Sequence, residues 1–176
     1  FVSILLCETM HISHDLYKKY FKHPYLRISV AGILVIILTL LSGTRDYNGA
    51  GMNIVTLAIA GSCVPWAFAL KLLFTGVTLG GGYRGGEIVP TMFIGATFGC
   101  FLGGLLGLNP GFAAAIGLVA VFCGAVNCPI SSLILSIELF GSGNILYFAI
   151  ACGVSYMLSG KFSLYKSQKI IYSKLE

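Results

Sequence analysis

Charged side chains are scarce in this chain, and acids are the scarcest. Its 176 residues include six Asp and Glu against eleven Lys and Arg, and charged residues amount to 10%, where a soluble domain carries about 25%. From Ile88 through Ile137 there is no Asp, Glu, Lys, Arg or His, and Glu138 is the single charged side chain between Ile88 and Gly160. A soluble fold would have to hide that tract from water, and a chain this small has too little interior. Disorder is excluded too, because 57% of the residues are hydrophobic and disordered segments are poor in them. Paired carboxylates, a nucleophile–base pair and a convincing metal cluster are all missing from the apolar tract. An intramembrane enzyme would need one of these, so the sequence does not read as an enzyme and calls for no metal or cofactor. These absences leave a polytopic, all-α membrane protein.

The net charge of +5 comes from the two ends. Lys18, Lys19, Lys22 and Arg27 precede the first long apolar run, and Lys161, Lys166, Lys169 and Lys174 follow the last. By the positive-inside rule both clusters face the cytoplasm, which places the C-terminus there, and the cell membrane is the expected location. Their long side chains snorkel to the interface and meet anionic lipid headgroups. Beside membrane spans, no nucleic-acid partner is expected from them. Six cysteines (7, 63, 100, 123, 128 and 152) are scattered through apolar runs and read as small hydrophobes. Glu8, His11 and His14 lie three residues apart with Asp15 adjacent, but that spacing spreads them around a helix, and they read as solvated linker polars. The chain opens at Phe1 inside an apolar stretch that lacks the charged start of a signal peptide, as a piece of something longer would.

Residues 1–20 read as the end of a helix running into a polar linker, His11–Arg27. Ile28–Thr44 is long enough to span, and the Asp, Asn and Gly residues of Thr44–Met52 end it. Ile54–Leu79 is interrupted by Pro65 and Lys71 and reads as two short helices. Pro90–Leu108, Phe112–Val126, Ile130–Phe140 and Asn144–Ser159 follow, separated by Asn-Pro-Gly, Asn-Cys-Pro and Gly-Ser-Gly breaks. A straight crossing needs about 20 residues, and most of these runs fall short. Backbone that stops at membrane depth must be held by protein or line a wet cavity. Short, broken helices therefore point to a transporter or channel whose half-helices aim their ends at a central site. Gly95, Gly99, Gly103, Gly107 and Gly111 recur every four residues, and the first four are expected to form one helix–helix seam.

The stretch Gly80-Gly81-Gly82-Tyr83-Arg84-Gly85 fits the G-x-G-x-x-G pattern. A dinucleotide fingerprint would need a preceding strand and a soluble βαβ unit, and neither is available. What survives is a mobile glycine loop, including Gly85 and Gly86, delivering the chain into a helix N-terminus. Free N–H groups and the positive end of the helix dipole make such a place an anion site. Glu138 and Lys71 are intramembrane charges, each readable as functional or as a structural group near an interface.

At Gly86-Glu87-Ile88-Val89-Pro90-Thr91 the sequence resembles the CLC family of chloride channels and proton-coupled anion antiporters, whose pattern there is G-x-F-x-P. Met92-Phe93-Ile94-Gly95-Ala96 continues the likeness. So do Cys123-Gly124-Ala125-Val126-Asn127-Cys128-Pro129-Ile130-Ser131-Ser132, Ile137-Glu138-Leu139-Phe140 and Tyr165. The resemblance implies the second inverted repeat of that fold, with 1–27 as a preceding helix end and cytoplasmic linker and 28–176 as the repeat, ending in a basic helix. It implies an anion, chloride or fluoride, held by the backbone amides of Glu87 and Ile88, with Val89 beside them and the hydroxyl of Tyr165 opposite. Pro90 would sit in the first helical turn. A homodimer, contacting near Glu138 and from Ile130 to Met157, and proton coupling are further implications. The serine-bearing filter loop and gating glutamate of the family belong to a first repeat, which this sequence does not contain.

Two departures from the family pattern bear on the site. Ile88 replaces the phenylalanine, and an acid, Glu87, stands at the x position. An acid facing the pore would repel anions, so Glu87 is expected to turn toward Arg84 or other loop donors, and Glu87→Gln to change anion affinity little. G-E-I-V-P resembles the fluoride-exporting branch more than the chloride consensus. On that reading Phe93 offers its ring edge to a small hard anion; its other reading is packing.

Overall fold

The computed structural model describes residues 1–165, Gln168 and Lys174, and among them every regular element is an α-helix. The helices are α1 (Val2–Tyr20), α2 (Pro24–Ser42), α3 (Met52–Ile59), α4 (Ala67–Gly80), α5 (Ile88–Leu105), α6 (Pro110–Val126), α7 (Pro129–Phe140) and α8 (Ile145–Leu158). Lys166 and Lys169, with the helix expected after Tyr165, fall outside the described residues.

The polar linker expected over His11–Arg27 is largely helix. α1 runs on to Tyr20, and only Phe21, Lys22 and His23 separate it from α2. The reason is that His11–Tyr20 holds no Gly or Pro to stop a helix. Met10 and Tyr17, seven residues apart on one face, are both buried. Lys18 and Lys19 occupy the last turn, where positive charge favours the helix dipole. Pro24 then starts α2 at a position that needs no N–H.

α2 and α5 are long and apolar enough to cross a membrane. They differ in surroundings. α2 buries only Ala31 and presents its side chains outward, as a lipid-facing span does, until Gly43 ends it in the left-handed conformation at φ 67°. α5 is half buried and pairs along its length with α6. The break expected near Pro65 separates α3 from α4. With eight residues α3 covers only about 12 Å, so it ends inside the fold.

The α5–α6 hairpin is the centre of the protein, with α1, α3, α4 and α8 packed on it. Its turn is capped by Asn109, whose side chain accepts from the amides of Gly111 (3.0 Å) and Phe112 (3.2 Å). Gly95, Gly99 and Gly103 of α5 face Gly117, Leu118 and Ala113 of α6 at backbone contact. The seam therefore exists, but Gly107 is not in it. Gly107 lies beyond the end of α5 with φ 70° and open space around it, a turn glycine. Gly117, outside the four-residue series, supplies the opposing surface. A second close approach joins α1 to α4, where Ser13 Oγ donates to the Gly76 carbonyl at 2.6 Å and Gly80 abuts Ser13. α7 buries only Ser132 and Ser136, and α8 only Phe148 and Cys152, so both leave broad apolar faces outward.

Candidate functional site

The glycine loop is built by unwinding the end of α4. The amide of Gly81 still reaches Val77 O (3.1 Å), Gly82 reaches Leu79 O (3.0 Å), and Tyr83 reaches back to Thr78 O (3.4 Å). Gly82 then turns the chain at φ 98°, a conformation open to glycine. α2 clamps this turn twice. Arg27 Nε donates to Gly81 O at 3.2 Å, and the Tyr83 hydroxyl donates to Ile28 O at 3.3 Å. Arg27, read from sequence as one more cytoplasmic charge, thus caps the carbonyl end of α4, where a cation suits the dipole. Arg27→Ala is expected to lower stability by about 1–2 kcal/mol, a charge-assisted bond to backbone, measurable as a lower unfolding midpoint. Arg27→Lys should recover part of it.

At the start of α5, Glu87 is the N-cap residue, but its side chain makes no capping hydrogen bond. Thr91 closes the first turn, its amide (3.3 Å) and hydroxyl (2.7 Å) both donating to Glu87 O. The amides of Ile88 and Val89 precede that turn and have no partner within the helix. Pro90, in the first turn as expected, has no N–H to offer. An uncapped, apolar-flanked helix start of this kind suits an anion.

This start of α5 divides two cavities. One, of about 340 Å³, is lined by His11 and His14 of α1, the Gly80 end of α4, Glu87 and Tyr165. The other, of about 430 Å³, is lined by Gly85, Gly86, Val89 and Pro90 together with Lys71 and Tyr47. The structure therefore brings Glu87 and Tyr165 to one cavity and puts Gly85, Gly86, Val89 and Pro90 on the other. Ile88, between them, is exposed. Phe93 is fully buried and lines neither; its ring packs edge-on against Tyr47 with the Lys71 ammonium 5.0 Å from its centroid. The ring-edge role for Phe93 gives way to that packing.

Tyr165 is held in place by residues whose part the sequence did not reveal. The Leu164 amide donates to Ala125 O at 2.9 Å, tying the segment after α8 to the end of α6. Asn127, left-handed at φ 59° where α6 ends, donates through Nδ2 to Phe162 O at 2.8 Å and accepts from Ser159 Oγ at 3.0 Å. Lys174 also donates to Asn127 Oδ1, and its ammonium lies 4.0 Å from the Tyr156 ring centroid. The Tyr165 amide donates to Ser163 Oγ at 3.2 Å. The sequence signal was the Asn-Cys-Pro break, which marked a turn and not a hub.

Glu87 lines the cavity that His11 and His14 of α1 wall, with Cys7 and His11 of that helix as electrostatic neighbours. α1 was read as tapering into a linker, so no wall was expected there. His11 Nε2 is buried without a hydrogen-bond partner among the described residues, a condition that costs about 1–3 kcal/mol if left so. Lys71, 1% exposed, donates to Gly49 O at 2.6 Å and Tyr47 O at 3.1 Å. Between its two sequence readings, this geometry favours the structural one. Glu138 is exposed, two residues before α7 ends, which favours an interface position. Among the described residues no group of three His, Cys, Asp or Glu is placed to hold a metal ion.

A family model described as voltage gated chloride channel matches residues 1–160. The chain belongs to the voltage-gated chloride channel (CLC) family. A chloride/fluoride channel protein of Pseudomonas syringae pv. tomato is 34% identical over 97% of this chain and 39% of its own length. An H(+)/Cl(-) exchange transporter of Vibrio cholerae is 26% identical, over 77% of this chain and 32% of its own length. The crystal structure of a CLC-type fluoride/proton antiporter superposes with a TM-score of 0.92 at 29% identity, covering 96% of this chain and 43% of the other. This CLC chain is thus a polytopic, all-helical membrane protein that spans well under half the length of these relatives.

Proposed function

We infer that this CLC chain forms one half of a transmembrane pathway for a small anion, chloride or fluoride. The amides of Glu87 and Ile88, with Val89 beside them, and the hydroxyl of Tyr165 hold the ion. The observation that carries the reading is that Glu87, at an uncapped helix start, and Tyr165, delivered from beyond α8, line one cavity. Neutral donors of this kind bind an ion and still release it, as permeation requires. A first repeat supplies the filter loop and gating acid, and two copies pair through the outward faces of α7 and α8, near Glu138. The protein lies in the cell membrane among lipids with its C-terminus in the cytoplasm, and protons move in exchange for the anion.

Fluoride is the reading favoured by the Gly86-Glu87-Ile88-Val89-Pro90 variant and by the likeness to a fluoride/proton antiporter. Efflux of each anion from liposomes, with and without a pH gradient, tests it with the protein carrying both halves. Fluoride efflux should exceed chloride efflux and should drive proton movement. Tyr165→Phe should slow efflux about tenfold, the loss of one hydrogen bond of about 1.4 kcal/mol to a charged ligand. Unchanged flux in that variant would instead favour a membrane assembly module that does not transport.

A further inference from the structure

The cavity on the other side of the α5 start, about 430 Å³ in volume, carries donors that an anion at Tyr165 leaves unused. Lys71 and Thr75 lie one turn apart on the face of α4 that lines it, and Tyr47 joins them from the turn after α2. Fastening that turn takes two of the three ammonium protons of Lys71, given to Gly49 O and Tyr47 O. No carboxylate pairs with this buried cation among the described residues, although buried charges are as a rule paired. Tyr47 and Thr75 are 8% and 7% exposed. Neither hydroxyl has a hydrogen-bond partner among the described residues, and buried polar groups almost always have one. The neighbouring polar groups are satisfied. Thr78 donates to Phe74 O at 2.7 Å, and the Asn48 side-chain amide donates to Thr39 Oγ1 at 3.2 Å.

The space beside these donors is larger than an ion needs. The other side chains on its wall are mainly apolar, among them Val35, Phe74, Leu79, Val89 and Pro90. A bare halide is close in size to a water molecule, whose share of the liquid is about 30 Å³, and would leave most of the cavity to water against apolar walls. Apolar cavities of a few hundred Å³ with a few polar groups are the kind that take small organic molecules. One buried positive charge calls for one negative charge, so a phosphate monoester, at nearly two, is mismatched. A carboxylate carries one charge and two acceptor oxygens, enough for the spare ammonium proton and both hydroxyls.

We propose that this cavity binds a small organic monocarboxylate, whose charged end is held by the Lys71 ammonium and the hydroxyls of Tyr47 and Thr75 and whose apolar body lies against Val35, Phe74 and Val89. The site is separate from the one that holds the transported anion, and the proposal goes beyond the transport reading without resting on it. Because Gly85, Gly86, Val89 and Pro90 line the cavity, its occupant touches the backbone that starts α5.

The test titrates benzoate by calorimetry into the protein with both halves present, with the heat of empty micelles subtracted. Benzoate should saturate at one per chain. Benzyl alcohol, of nearly the same size and without the charge, should bind at least tenfold more weakly, because hydrogen bonds to an ionised group are roughly twice as strong as neutral ones. Excess fluoride or chloride should leave benzoate bound. Tyr47→Phe and Thr75→Val each remove one hydroxyl, nearly keep the shape and leave both bonds of Lys71 in place. Each should weaken benzoate about tenfold, the loss of one hydrogen bond to a charged ligand, without lowering the melting temperature of the empty protein. Lys71→Met should abolish saturation.

Wild-type affinity in both hydroxyl variants would overturn the proposal, and these variants decide the matter even if Lys71→Met disturbs the fold. Equal binding of benzyl alcohol would overturn it by showing an apolar cavity that ignores charge. Displacement of benzoate by fluoride or chloride would overturn it by making the site a halide's. Absence of saturable benzoate binding would overturn it as well, and would leave anion efflux through the Tyr165 site untouched.

Discussion

Gly117→Val should leave almost no folded protein, with the monodisperse peak on gel filtration lost from detergent extracts. A Cβ added at Gly117 would lie 2.8 Å from Gly99 Cα and 2.5 Å from Gly95 O. Both are backbone atoms in the middle of α5, so no rotamer change relieves the overlap and the two helices must move apart. Helices in a bilayer are held together by close packing, since lipid offers no hydrophobic drive to associate them. Forcing the central pair apart forfeits contacts along several turns, and overpacking alone typically costs about 1–3 kcal/mol. Gly117→Ala should fall between valine and wild type, with a lowered unfolding temperature. Gly104→Ala is the opposite case. It lies on α5 with nothing within 4 Å of an added Cβ, so it should hold or raise stability by about 0.5–1 kcal/mol, the helix preference of alanine over glycine. A wild-type melting temperature in Gly117→Val would mean that α5 and α6 do not touch at backbone distance.

Much of this helical order was legible because apolar runs and Gly/Pro punctuation are local signals. The breaks at Asp46–Gly51, Pro65, Asn109 and Asn127 each fall between helices. The seam was half legible, since one helix's stripe is visible as a four-residue period while the facing Gly117 obeys no period of its own. What failed was inference from polarity. His11–Tyr20 looked like a linker because it carries charges, yet polar residues without Gly or Pro remain helical when one face packs, here through Met10 and Tyr17. That error hid the wall of the cavity that Glu87 shares with His11 and His14. Asn127 and Arg27 were missed for another reason. Their roles are hydrogen bonds to backbone far along the chain, Phe162 and Gly81, and no short spacing encodes such contacts.

Lys71→Met should open the turn between α2 and α3, read as faster cleavage by trypsin after the exposed Arg45. The ammonium makes two bonds to the carbonyls of Gly49 and Tyr47 and lies over the Phe93 ring. Each hydrogen bond involving a charged group contributes about 1.5–3 kcal/mol. Against that stands the cost of burying a charge, about 2.5–3.5 kcal/mol at mid-bilayer, which methionine avoids. Methionine, however, leaves both carbonyls without a donor. The nearby cavity lets water reach them in part, so the net loss settles at about 2 kcal/mol, between full burial and full hydration. Removing one partner of a buried set destabilises more than replacing the whole set, and here the carbonyls cannot be replaced. Where opening is fast, cleavage follows the population of the open turn, and about 2 kcal/mol corresponds to roughly thirtyfold faster cutting, since every 1.4 kcal/mol is tenfold. Lys71→Arg keeps a donor and a charge but is larger and forked, and should cut at an intermediate rate. A cleavage rate equal to wild type in Lys71→Met would show that the ammonium does not fasten the turn, and its burial would then need another cause.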